Sequence, residues 1–197
     1  MVGALALAGF VAAGCGGGER QDSDEPSGTF PVDVVKATFP AKQRLAESSE
    51  LQIAVRNAGD KAVPNVAVTV ESDEADQTAA AAAFAEASDQ PGLADSSRPV
   101  WVLDTAPHGG ITAYTNTWAL GPLKPNQTKT FVWHVTAVKS GVHAIKYKVA
   151  AGLDGKAKAV LAGGNEEPTG TFTINVSGKP ASARVGANGQ VITEPVE

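Results

Sequence analysis

The sequence predicts an all-β domain, an antiparallel β-sandwich, on three observations. Strand-length segments alternate apolar and polar residues with a period of two, the pattern of sheets with one buried and one wet face. Gly (21) and Pro (12) are frequent, as suits a turn-rich β domain rather than a helical one. Turn clusters at 57–61, 106–110 and 121–127 separate the alternating runs. A body of about 150 residues buries roughly 68–70% of the surface its unfolded chain exposes, so a core forms without disulfides. The single cysteine of the 197 residues, Cys15, has no internal partner.

The clearest stretch is 128–149, TKTFVWHVTAVKSGVHAIKYKV. Phe131, Trp133 and Val135 alternate with Val132, His134 and Thr136 in its first arm, and Ile145, Tyr147 and Val149 with Lys146 and Lys148 in its second. Ser140-Gly141 supplies a residue that tolerates positive φ. The expectation is a hairpin centred on Ser140, with Phe131 opposite Val149, Trp133 opposite Tyr147 and Val135 opposite Ile145 on one buried face.

The other elements follow in order. Val32, Val34 and Val35 mark a first strand within 30–39, ended by Pro40. Leu51, Ile53 and Val55 mark a second, and Val66, Val68 and Val70 a third. Residues 71–98 interrupt the rhythm: TAAAAAFAEA at 78–87 has strong helix propensity, with Thr78 as N-cap, so a short helical insertion is expected. RPVWVLD at 98–104 is a strand, 111–120 carries Tyr114 and Trp118, and 156–161 returns as a strand after the hairpin turn GLDG. Phe172, Ile174 and Val176 close the sandwich. Residues 177–197 are a polar tail, with a small hairpin, ARVGANGQVI, around Asn188-Gly189.

LQIAVRNAGDKAVPNVAVTV resembles bacterial Ig-like modules of the CARDB type: an apolar strand ends in V-x-N-x-G at Val55, Asn57 and Gly59, and V-x-V follows at Val66, Val68 and Val70. LGPLKPNQTKTFVWHV resembles the same family's leucine, P-G-x turn and following strand, with Asn126 where Gly is usual; Asn also tolerates positive φ. The resemblance covers 30–176. It implies an Ig-like antiparallel β-sandwich used in surface attachment or as a spacer, and no particular activity.

The first residues make a separate unit. Residues 2–14 are apolar and uncharged, too short for a bilayer span and the right length for a secretory signal. Ala12-Ala13-Gly14-Cys15 resembles the lipobox of bacterial lipoproteins. Ala12 stands where Leu is commonest, and the basic start usual in such signals is missing, which is consistent with a true start upstream of Met1. The resemblance implies cleavage between Gly14 and Cys15, a diacylglycerol thioether on Cys15 and an acylated new N-terminus. Several acyl chains hold a protein at a membrane where one does not. Residues 16–29, Gly-rich and acidic, read as a flexible tether with a root-mean-square reach of about 20 Å.

Few residues point to chemistry. A net charge of −5 and a pI of about 5.2, with no basic face, argue against nucleic acid. His134 is expected to face outward and His143 inward, so with His108 they do not converge on a metal; no cofactor is expected. Asp104 with His108 is a partial triad without a nucleophile elbow. Trp133 is expected in the core, whereas Tyr114 and Trp118, in a Gly/Thr-rich stretch, are candidate ligand contacts. The expected protein is a non-enzymatic lipoprotein at the outer side of the cell membrane. It would serve binding, adhesion or scaffolding, with the membrane and another envelope protein or a polysaccharide as partners. An accessory subunit of an envelope enzyme or transporter is the alternative, and a hydrolase using Asp104 and His108 the third.

Overall fold

The computed structural model describes residues 24–73, 83–85, 99–114, 116–180 and 182–193; residues 1–23, with Gly14 and Cys15, lie outside this set. Among the described residues the chain forms fourteen strands and no helix. They are β1 (Gly28–Thr38), β2 (Lys42–Leu45), β3 (Ser48–Asn57), β4 (Ala67–Ser72), β5 (Phe84–Ala85), β6 (Trp101–Thr105), β7 (Ile111–Tyr114) and β8 (Thr117–Ala119). Then come β9 (Thr128–Ala137), β10 (Gly141–Ala150), β11 (Ala157–Leu161), β12 (Thr169–Pro180), β13 (Ala183–Val185) and β14 (Val191–Thr193). One sheet runs β11-β1-β3-β9-β6-β5 and the other β2-β12-β10-β4-β8-β7. The expected C-terminal hairpin is present as β13–β14, with Gly189 at φ 81° in its turn.

The inner faces of the two sheets make one core. Phe131 and Trp133 stack with ring centroids 5.8 Å apart, and the edge of Trp118 meets Trp133 at 5.5 Å. The Trp133 indole N–H is buried with no hydrogen-bond partner among the described residues; its ring contacts offset that loss, since such aromatic pairs contribute beyond their burial. At the other end of the core the Trp101 indole donates to Gln43 Oε1 at 2.7 Å. Gln43 is itself fully buried and donates to the Pro40 carbonyl at 3.1 Å, so this buried pair is satisfied at each step.

Four expectations are corrected. First, 128–149 is not a hairpin. β9 pairs with β3 and β6 in one sheet, while β10 pairs with β4 and β12 in the other, so the chain arches between sheets at 138–140. All six expected inward residues are buried. Second, GLDG does not make a hairpin either: β11 crosses to lie parallel to β1. With β2 beside β12 and β5 beside β6, parallel pairs make both sheets mixed rather than antiparallel. Third, the described part of the expected helix is a strand. Phe84–Ala85 runs parallel to Trp101 and Val102, and the Phe84 ring packs 6.0 Å from Trp118. A single apolar anchor into an aromatic core outweighs alanine propensity, because a helix this short is marginal alone. The rest of 78–87 lies outside the described residues.

Fourth, the span read as tether reaches into the fold. Gly28 and Thr29 already belong to β1, and Glu25 is docked. Its Oε2 accepts from the amides of Leu153 and Asp154 at 2.6 and 2.7 Å, and its Oε1 from Ala157 at 2.5 Å. A side chain at Gly152 would overlap that carboxylate, so a larger residue there would displace Glu25 from the clasp. We expect Glu25→Ala to speed hydrogen exchange of the Leu153, Asp154 and Ala157 amides by about tenfold or more, since each loses a charge-assisted bond. Unchanged protection at all three would show that the clasp does not form in solution.

Asn57 closes β3 and is fully buried. Its side-chain amide donates to the carbonyls of Lys61 and Leu123, both at 2.8 Å, and its Oδ1 accepts from the Gly59 amide at 2.9 Å. Its backbone exchanges bonds with Gln127 and Asn126, the latter at φ 60° as the turn requires. Asn57→Ala removes three hydrogen bonds made by one buried side chain and is expected to cost on the order of 2–3 kcal/mol. Urea unfolding would read this as a lower midpoint with unchanged slope. Asn57→Asp, which sets a carboxylate against two carbonyls, is expected to cost more.

Candidate functional site

The outward face of the sheet β2-β12-β10-β4-β8-β7 holds the candidate site. Because Ile145, Tyr147 and Val149 of β10 point into the core, Lys146 and Lys148 point out. The pairing register then aligns them with neighbours on the same face. Lys146 lies between Glu71 of β4 and Thr171 of β12. Lys148 lies between Thr69 and Thr169, and that row continues from Thr69 to Thr117 of β8 and on to Tyr114 of β7. Thr69, Glu71, Lys146, Lys148, Thr169 and Thr171 border an open depression of about 510 Å³, within the size range of small-ligand sites.

The lysines do not leave a positive surface. Lys146 pairs with Asp73, and Lys148 with Glu167 at 2.7 Å; all four groups are exposed. The Thr69 and Thr117 hydroxyls bond each other at 2.8 Å. What remains is an interleaved set of hydroxyl, ammonium and carboxylate groups on a rigid sheet.

The two candidate ligand contacts are placed differently. Tyr114 is 51% exposed, at the end of the row. Trp118 is only 5% exposed and belongs to the core, between Phe84 and Trp133. It pairs with the inward-facing Val68, and that register sends its ring inside. Asp104 Oδ2 accepts from Thr136 Oγ1 at 2.7 Å and Ser48 Oγ at 3.3 Å, tying β6 to β9 and, beyond it, to β3. His134 is exposed, 3.9 Å from Glu50, whereas the His143 ring turns inward against Trp101 at 5.9 Å. Among the described residues no three His, Cys, Asp or Glu side chains converge. The polar row itself went unremarked in the sequence, although its members are the outward half of the alternation that marked β4, β10 and β12.

No family model matches the chain, and no curated protein matches it. Solved structures do. A CARDB domain from Pyrococcus furiosus, in complex with di-metal ions, is 16% identical over 80% of this chain and 97% of its own, with a TM-score of 0.45. The solution structure of a CARDB domain from the same organism is 17% identical over 75% and 93%, with a TM-score of 0.42. Native alpha-2-macroglobulin from Escherichia coli is 16% identical over 79% of this chain but only 18% of its own, with a TM-score of 0.46. These are likenesses of fold.

Beneath the depression, the Tyr147 ring lies across Gly170, where any side chain would collide with it, and 5.7 Å from Phe172. Burial pushes the Tyr147 phenol above its ordinary range. Its folded pKa is raised, so its contribution to stability is complete below the unfolded value of about 10 and is lost as pH climbs through the folded one. We therefore expect stability, followed by urea unfolding, to fall as pH passes about 10 and Tyr147→Phe to flatten that fall. An equal slope in the variant would refute the assignment.

Proposed function

We propose that the chain is a lipid-anchored envelope protein whose β-sandwich, CARDB-like in kind, stands outside the cytoplasmic membrane. There it acts as a non-catalytic binding, adhesion or scaffolding module. The observation that carries the anchor is the run Ala12-Ala13-Gly14-Cys15: the only cysteine of the chain follows small residues at the end of an uncharged apolar segment. Small side chains suit a peptidase cleft, and a thiol is the group that lipid transfer requires. Binding is favoured by the polar outer face, which offers hydroxyl, ammonium and carboxylate groups in register on one sheet.

Growing the producing bacterium with an alkyne-tagged fatty acid tests the anchor. The full chain is expected to take up label and to sediment with membranes, and Cys15→Ser to lose the label and enter the soluble fraction. Equal labelling of the variant would sink the reading.

A further inference from the structure

On the reading that the sandwich is a binding module, we infer that the outward face from Tyr114 to Thr169 binds an uncharged, polyhydroxylated chain, an extended neutral glycan. Four observations converge on this class.

The first is registration. Tyr114, Thr117, Thr69, Lys148 and Thr169 are successive cross-strand partners, so they form one straight row over five strands. At about 4.8 Å per strand the row is roughly 19 Å long, which suits an oligosaccharide better than a compact metabolite. The second is the alternation of hydrogen-bonding sense. Thr169 and Thr171 are exposed, and a threonine hydroxyl both donates and accepts. Lys146 and Lys148 supply donors, and Glu71 is an acceptor on the same face. A ligand that must donate and accept at every position carries hydroxyl groups, and threonine methyls give its C–H faces an apolar contact.

The third is charge. Each ammonium already faces a carboxylate, Asp73 or Glu167, and Glu71 adds a further negative charge. A polyanion would meet like charge here, and a neutral ligand has no ionic partner to displace. The fourth is the exposed phenol ring of Tyr114 at the end of the row. It is the large aromatic surface on which a sugar ring can stack, and the depression of about 510 Å³ lies further along the row. A protein partner fits less well, because the centre of such an interface is depleted of charged residues, whereas charges line this depression.

Calorimetric titration of the full chain in detergent with cellohexaose, chitohexaose and maltohexaose tests the inference, with a polygalacturonate hexamer as the charged control. At least one neutral hexamer is expected to bind. Tyr114→Ala should weaken it about tenfold and Tyr114→Phe by less than about twofold, because stacking needs the ring and not the hydroxyl. Thr169→Val should weaken it severalfold, with thermal midpoints unchanged in all three variants. Binding of the charged hexamer alone would overturn the inference. So would binding that is indifferent to both Tyr114→Ala and Thr169→Val, or no binding of any neutral hexamer. In that last case a photo-crosslinker at Lys148 separates the two readings: capture of an envelope protein removes the glycan and leaves the binding module standing.

Discussion

The sandwich depends on one buried amide. Asn57 ends β3 at the point where two crossings between the sheets meet: the descent from β3 to β4 through 58–66, and the return from β8 to β9 through 120–127. The Asn57 side chain reaches a carbonyl of each crossing, that of Lys61 in the first and that of Leu123 in the second, the latter shared with the Val63 amide at 2.9 Å. Only a carboxamide combines two donors with the acceptor that the Gly59 amide needs, so neither Asp nor an isosteric leucine can replace it. The neighbouring bridge between Val63 and Leu123 then locks the two crossings to each other. Because one crossing leads into β4 and the other into β9, this amide sets the position of one sheet against the other.

Much of that was legible in the sequence, and the limits have a physical form. The alternation in 128–149 identified six core side chains, because alternation reports which side of a strand is dry. It does not report the neighbour. In a sandwich both sheets face the same interior, so a hairpin within one sheet and an arch between two bury the same Phe131, Trp133, Val135, Ile145, Tyr147 and Val149. Choosing between them needs the long-range pairings to Leu51, Ile53, Val68 and Ile174, and local turn chemistry is silent on those. Trp118 failed for a related reason: in TAYTNTWAL nothing local tells which of Thr117 and Trp118 faces in, and the pairing of Val68 settles it. Alanine-rich propensity misled at Phe84, where burial beside Trp101 and Trp118 decides. Asn126, by contrast, was legible, because a turn that requires positive φ narrows the residue choice sharply, whereas Asn57 stands in the sequence only as a position of the V-x-N-x-G pattern.

The same reasoning explains how the edge of the β11-β1-β3-β9-β6-β5 sheet is kept from pairing. In β11 the amides of Ala157, Ala159 and Leu161 point away from β1. Glu25 takes the first, and the Glu166 carbonyl takes the last at 2.8 Å. An edge with both ends occupied is a poor template for another strand, which is how soluble β proteins avoid association. Glu25 therefore has two consequences: it fastens the chain just before β1 to the turn after β10, and it protects the strand beside that point. A carboxylate suits both, because it accepts several amides at once and remains solvated when they open.

The outward face of the other sheet inherits its geometry from the core rather than from contacts of its own. Exposed ion pairs such as Lys146–Asp73 and Lys148–Glu167 contribute little to stability. What holds Lys146 and Lys148 in line with their threonines is the backbone register of β4, β10 and β12, and that register is fixed from beneath by Ile145, Tyr147 and Ile174. Gly170 shows how tight the coupling is: the Tyr147 ring fills the space a side chain there would need, so β12 lies against β10 where a larger residue would hold it off. A face built this way holds the backbone positions of its polar groups at fixed spacings, while the exposed lysine side chains keep their rotamer freedom. It also divides the labour along each strand, since inward residues determine the shape of the surface and outward residues determine its chemistry. Substitutions at Thr169 or Lys148 can therefore alter what the face recognises while leaving the sandwich intact, whereas substitutions at Tyr147 or Gly170 change both.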